Sequence, residues 1–215
     1  MSAAVSDPVV LPMFPLPEVT FFPHTLLPLH IFEGRYRAMV TDVLARDRRL
    51  CIVQLLPGYE ATYAQKPAVR AVAGAGEIVK WERLPTGRYN IVLKGEVRLR
   101  IEREHPTDTL YRVAVGRRLE DVGPRENVAP LVARIQEACR RLLIRLGRSP
   151  DLLAPVLAED QAPGVLADRV AAAVMPDAAI RQRLLETVDV RERLVLLSSA
   201  LEDLVKSMPE GRERG

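Results

Sequence analysis

Apolar and charged positions alternate most clearly at Val97, Leu99 and Ile101, which are interleaved with Glu96, Arg98, Arg100 and Glu102. A period of two with one charged face predicts a strand in a sheet wetted on one side. The pattern extends over Arg88–Glu104, is mirrored by Val69–Glu82 across the turn Leu84-Pro85-Thr86-Gly87, and resumes at Tyr111, Val113 and Val115. Leu50–Leu56 is continuously apolar and reads as a buried strand, ended by Pro57-Gly58. Before these, six prolines interrupt the first 30 residues (8, 12, 15, 17, 23 and 28). Proline removes a ladder donor, so this stretch predicts short edge strands near Val9–Leu11, Val19–Phe22 and Leu26–His30. Between Glu33 and Ala45 the period lengthens. Tyr36, Met39, Val40, Val43 and Leu44 share a helical face there, with Glu33 and Arg37 as an i,i+4 pair.

The period changes for good near Asp121-Val122-Gly123-Pro124. Val128, Leu131, Val132, Ile135, Ala138, Cys139, Leu142, Leu143 and Leu146 form a wide helical stripe, with Gly147 placed to end it. After a break at Ser149-Pro150, Pro163 opens a helix over 165–174, Asp177 caps 178–186, and Asp189 caps 190–206 with Glu192 three residues on. Val190, Leu194, Leu197, Leu201 and Leu204 continue the apolar stripe. The expected fold is α+β: a β-rich domain over 1–123, a helical bundle over 124–208, and a frayed tail at 209–215.

Composition narrows the class without naming a function. A chain of 215 residues with 48% hydrophobic and 27% charged residues can bury an ordinary core. Its charge of +3 lies wholly in residues 1–123, with 17 basic against 14 acidic side chains, and no Lys/Arg run reaches five. That dispersed excess argues against nucleic acid as partner. No apolar run reaches 18 residues and the first basic residue is Arg35, so neither a membrane span nor a secretory leader is expected, and the cytoplasm is the expected compartment. Cys51 and Cys139 sit in apolar periodic segments, which favours two buried free thiols over a bridge.

Catalytic and metal-binding constellations do not emerge. A phosphate cradle needs a Gly-Lys dipeptide, which is absent, and Gly74-Ala75-Gly76 reads instead as a bulge or tight strand bend. Ser198 and Ser199 lie seven or eight residues from Lys206, about two helical turns, too far for a Ser–Lys dyad. His24, His30 and His105 show no paired-ligand spacing, so no metal and no cofactor are expected. The aromatic loops are the best recognition candidates: Phe21 and Phe22 before Pro23-His24, and Tyr59 and Tyr63 between Pro57 and Pro67. Which of these are core residues stays open.

The stretch Leu26–Val40, LLPLHIFEGRYRAMV, resembles the signature LPLxIFExRYRxMV of the Lon protease N-terminal domain family. The segments ERLPTGRYNI (82–91), GEVRLRI (95–101), LADRVA (166–171) and LLETVDVRERL (184–194) are similar to its strand–turn–strand and helical parts. The resemblance spans residues 8–206. It implies a PUA-like pseudo-barrel of about six strands and one helix, followed by a helical bundle, with Pro28, Leu29, Phe32, Glu33, Arg35 and Tyr36 as structural motif residues, of which Glu33, Arg35 and Tyr36 stand at the corner and are read as tying the helix start to the barrel. It also implies a non-catalytic, freestanding module that binds apolar or unfolded protein segments, for which the loop residues Phe21, Phe22, His24, Tyr59 and Tyr63 are the candidate contacts. Such binding gains specificity from a separate ATPase or protease or from weak self-association. A small-ligand or regulatory module of the same fold is the alternative, with RNA binding third.

Overall fold

The computed structural model describes residues 7–208 except 64, 125 and 159; the expected tail at 209–215 lies outside the described residues. The chain divides into two compact units, 1–120 and 121–215. The first contains β1 (Val9–Leu16), β2 (Leu26–Ile31), α1 (Gly34–Leu44), β3 (Arg49–Gln54), β4 (Val72–Arg83), β5 (Tyr89–Glu104) and β6 (Arg112–Leu119). The strands run in the order β2-β5-β4-β3-β1-β6, and β5 also pairs with β6. That second pairing closes the sheet into a pseudo-barrel with β2 attached outside the ring. Closure is possible because β5 is 16 residues long: its first half pairs with β2 and its second half with β6. The sheet is mixed, since β1 runs parallel to β3 and antiparallel to β6.

One face of α1 supplies Tyr36, Met39, Val40 and Val43 to a core shared with Phe14, Phe21, Ile31, Leu50, Ile78, Ile91 and Leu93. Leu11, Met13, Cys51, Val53, Ala73, Leu99 and Ala114 fill the rest of the interior. Both cysteines are free and buried, and burial pushes each thiol up to about 12.

Two expectations for the proline-rich start are corrected. β1 is not a short edge strand but an eight-residue strand between two neighbours, despite Pro12 and Pro15. Its register with β3 begins at Met13 and its register with β6 ends there, so each proline faces a partner on one side only. Residues 19–22 form no strand. They make a strap whose backbone lies directly on the sheet: a Cβ built on Gly74 would sit 1.7 Å from the Phe21 carbonyl oxygen, and one on Gly95 would sit 2.0 Å from that of Phe22. The Gly74-Ala75-Gly76 run does carry a strand irregularity, between Ala75 and Gly76, as expected.

The second unit contains α2 (Ala129–Arg145), α3 (Pro163–Val174), α4 (Ala178–Glu186) and α5 (Val190–Ser207), with a short 3₁₀ turn at Pro150–Leu153. Asp177 and Asp189 accept hydrogen bonds from the backbone N–H of Ile180 (2.8 Å) and Glu192 (2.9 Å), capping α4 and α5. The unit begins at Asp121, three residues before the expected boundary. Here the Val122 N–H donates to the Val188 carbonyl (2.9 Å) and the Val190 N–H to that of Val122 (3.0 Å). Among the described residues no helix is long and apolar enough to cross a membrane.

Candidate functional site

Sheet physics places polar residues on an outward face, and β2 departs from that. Leu26, Pro28 and His30 alternate outward, followed by Phe32; Leu26 is 65% and Phe32 59% exposed. Across the sheet, register pairs Pro28 with Val92 and Val92 with Lys80. A β-bulge between Ile78 and Lys80 ends the buried run of β4 and leaves Trp81, the only tryptophan, 42% exposed. Pro28, Leu29, Ile91, Val92 and Trp81 line a groove of about 430 Å³. A polar row rims it: His30 Nδ1 lies 2.8 Å from Asn90 Oδ1, and Asn90 Nδ2 donates to Glu82 Oε2 at 3.4 Å. The Arg48 guanidinium lies over the Trp81 ring at 4.7 Å, and His30 stacks on Phe32 at 6.3 Å between centroids.

A second concavity of about 400 Å³ opens at the first turn of α1, bordered by Pro15, Arg35, Tyr36, Lys66, Leu110 and Arg112 among others. Glu33, the residue before α1, organises its edge. Its carboxylate accepts from Arg35 Nε at 3.0 Å and from the Tyr63 hydroxyl at 2.8 Å. The Arg35 guanidinium lies 4.6 Å from the Tyr36 ring centroid and 5.0 Å from that of Tyr63, whose edge meets Tyr59 at 6.0 Å. Burial and the bond to Glu33 raise the Tyr63 phenol above its ordinary value. Burial, partly opposed by Arg35, pushes the Tyr36 phenol up to about 12, so it stays protonated.

The structure therefore separates the recognition candidates. Tyr59 and Tyr63 are half-buried and join Glu33, Arg35 and Tyr36 in one cluster, so these motif residues tie the helix start to the 57–67 loop. Phe21 and Phe22 are 1% and 0% exposed, which corrects their assignment as peptide contacts: the strap turns both rings inward and leaves them no surface. His24 is exposed at the strap's end with φ +62°, its N–H bonded to the Gly95 carbonyl (2.9 Å). The sequence reading missed Leu26 and Trp81. The signal was present in Leu26, whose parity matches Pro28 and His30; Trp81 needed the bulge, which periodicity does not reveal.

Two solved structures share this fold. The N-terminal domain of Mycobacterium avium complex Lon protease superposes with a TM-score of 0.68 at 21% identity, covering 91% of this chain and 99% of that one. The Lon N-terminal domain protein from Xanthomonas campestris gives 0.61 at 24% identity, covering 94% and 99%. Among curated relatives, a Lon protease of Roseiflexus castenholzii is 31% identical over 209 residues, 96% of this chain and 25% of its own length. Lon protease 2 of Bdellovibrio bacteriovorus is 28% identical over 201 residues, 90% and 24%. The chain thus spans about a quarter of the length of these relatives. With residues 10–203 matching its family description, the chain belongs to the ATP-dependent protease La (LON) substrate-binding domain family.

Proposed function

We propose that this chain is a non-catalytic recognition module that holds apolar segments of unfolded proteins against the outward face of β2, β5 and β4. The observation that carries this reading is the exposure of Trp81 in the groove together with that of Leu26 and Phe32 on the adjoining β2 segment, where a solvated sheet would present polar side chains. A folded client hides its apolar side chains, so such a face discriminates by folding state rather than by sequence. Tyr59 and Tyr63, half-buried beside Glu33 and Arg35, are secondary amphipathic contacts for such a segment. Membership of a substrate-binding family supports the reading.

Trp81 makes the test direct, because the only tryptophan lines the groove. Titration with a reduced, carboxymethylated protein should change its emission saturably, while the same protein in its folded state should not. Leu26→Ser/Phe32→Ser should abolish the change. Unaltered binding by that double variant would remove the β2 face from the reading. Unaltered binding by Tyr59→Ala/Tyr63→Ala would exclude only the 57–67 loop.

A further inference from the structure

The cavity at the first turn of α1 contains a buried group that the protein itself does not use. Tyr36 is 4% exposed, and its ring packs on Phe14 at 4.2 Å between centroids. Its hydroxyl has no hydrogen bond among the described residues, although the side chain borders the cavity. The charged groups that act on it are Arg35, Glu33 and Arg112, together with Tyr63, so it sits at the cavity's charged end. The hydroxyl reaches the open cavity rather than being sealed in the core, so a water or a ligand atom can take up its hydrogen bond.

We propose that this cavity binds a carboxylate-bearing ligand, held by the Tyr36 hydroxyl, the charge of the Arg35 guanidinium and the Lys66 ammonium. The phenol stays protonated throughout the neutral range, so it acts as a donor. Arg35 turns Nε and Nη2 toward Glu33 and also hydrogen-bonds the Tyr63 hydroxyl, and its side chain borders the cavity. Arg112 is committed to Glu104 and to the Pro67 carbonyl at 2.7 Å. Lys66 makes no hydrogen bond among the described residues, and its charge acts on Glu104. Arg35, Lys66 and Arg112 against Glu104 and the adjacent Glu33 leave one positive charge over, matching a carboxylate rather than a phosphate dianion. The start of α1 adds its dipole in the same sense. Pro15, Pro106 and the exposed Leu110 supply an apolar wall for the group next to the carboxylate. The ligand's carboxylate has two sources, the end of a protein chain or a small free acid. This site is separate from the β2 face and does not rest on its role.

Calorimetric titration of the intact chain tests it with four probes: N-acetyl-phenylalanine, its amide, and a hexapeptide ending in phenylalanine with a free or an amidated terminus. The acids should bind and the amides should bind at least about tenfold more weakly, the scale of one hydrogen bond to a charged group. Tyr36→Phe and Lys66→Met should each weaken the acids by about tenfold on the same scale. Tyr36→Phe should leave the melting temperature unchanged or raised, which a structural hydroxyl would not allow. Leu26→Ser/Phe32→Ser should leave acid binding intact. A free-ended peptide binding tighter than the single residue identifies the chain end as the ligand; equal affinities identify a small acid. The proposal is overturned by acids that fail to bind at millimolar concentration, by amides that bind equally well, or by Tyr36→Phe and Lys66→Met variants that bind as the parent does.

Discussion

Arg193 is 0% exposed, although arginine is rarely buried without partners. Its Nη1 donates to Asp121 Oδ1 at 2.9 Å and to the Thr187 carbonyl at 2.8 Å, its Nη2 meets Asp121 Oδ2, and its Nε lies 3.4 Å from Asp168 Oδ1. Burial opposes the charge, yet the bonds to Asp121 and the charges of Asp168 and Asp121 outweigh it and raise the guanidinium above its ordinary value. Removing it breaks the fork to Asp121, the bond to the Thr187 carbonyl and the ion pair with the buried Asp168 together, so Arg193→Ala should cost about 3–5 kcal/mol in chemical denaturation. Arg193→Lys should not restore the loss, because an ammonium cannot reproduce the fork that reaches Asp121 and Asp168 together. The sequence held the signal: Val190, Arg193, Leu194 and Leu197 share one helical face, and a charge inside an apolar stripe requires a partner. What it lacked was the partner, since Asp121 is 72 positions away. The thiols give a second prediction at this scale. With Cys51 and Cys139 buried and pushed up to about 12, neither should react with a thiol reagent until the chain is denatured.

At the scale of elements, legibility followed hydrogen-bond period. β5 and the capped helices were readable because alternation and caps are local. The strap over residues 19–22 was not, since it has no ladder and its path is set by Gly74 and Gly95, some fifty and more positions onward. Gly74→Ala tests that account. With its Cβ 1.7 Å from the Phe21 carbonyl oxygen, a backbone must move, at about 3 kcal/mol or more, the upper range of overpacking. Gly123→Ala, which meets nothing within 4 Å, should be nearly silent in the same melts. The junction of β5 and β6 carries a pH signature. Hydrogen bonding from Arg112 holds Glu104 below its ordinary 4.5, and a depressed folded-state value means stability present above 4.5 and lost as pH falls through the lowered one. Wild type should therefore exceed Glu104→Gln modestly at pH 7, and the two should converge in strong acid.

At the scale of the whole molecule, the proposed capture of apolar segments has a limit on its tightness. A face of about 400 Å² yields ~10 kcal/mol gross at ~25 cal/mol/Å². Association consumes roughly 4–15 kcal/mol of that, so one copy should bind an apolar segment with micromolar affinity or weaker. Weak capture suits a module that must release what it holds, but it leaves specificity to something beyond a single contact. Two faces engaging one unfolded chain convert the second contact into an intramolecular event, worth about 10²–10⁴ in affinity when the spacing permits. A tandem fusion of two copies through a flexible linker should therefore bind a long unfolded chain at least a hundredfold more tightly than one copy, while gaining nothing on a peptide that spans a single groove. Calorimetry on both ligands separates the cases: equal gains on the short and the long chain would mean the linker had built a new surface, and the repeated-contact account would fail.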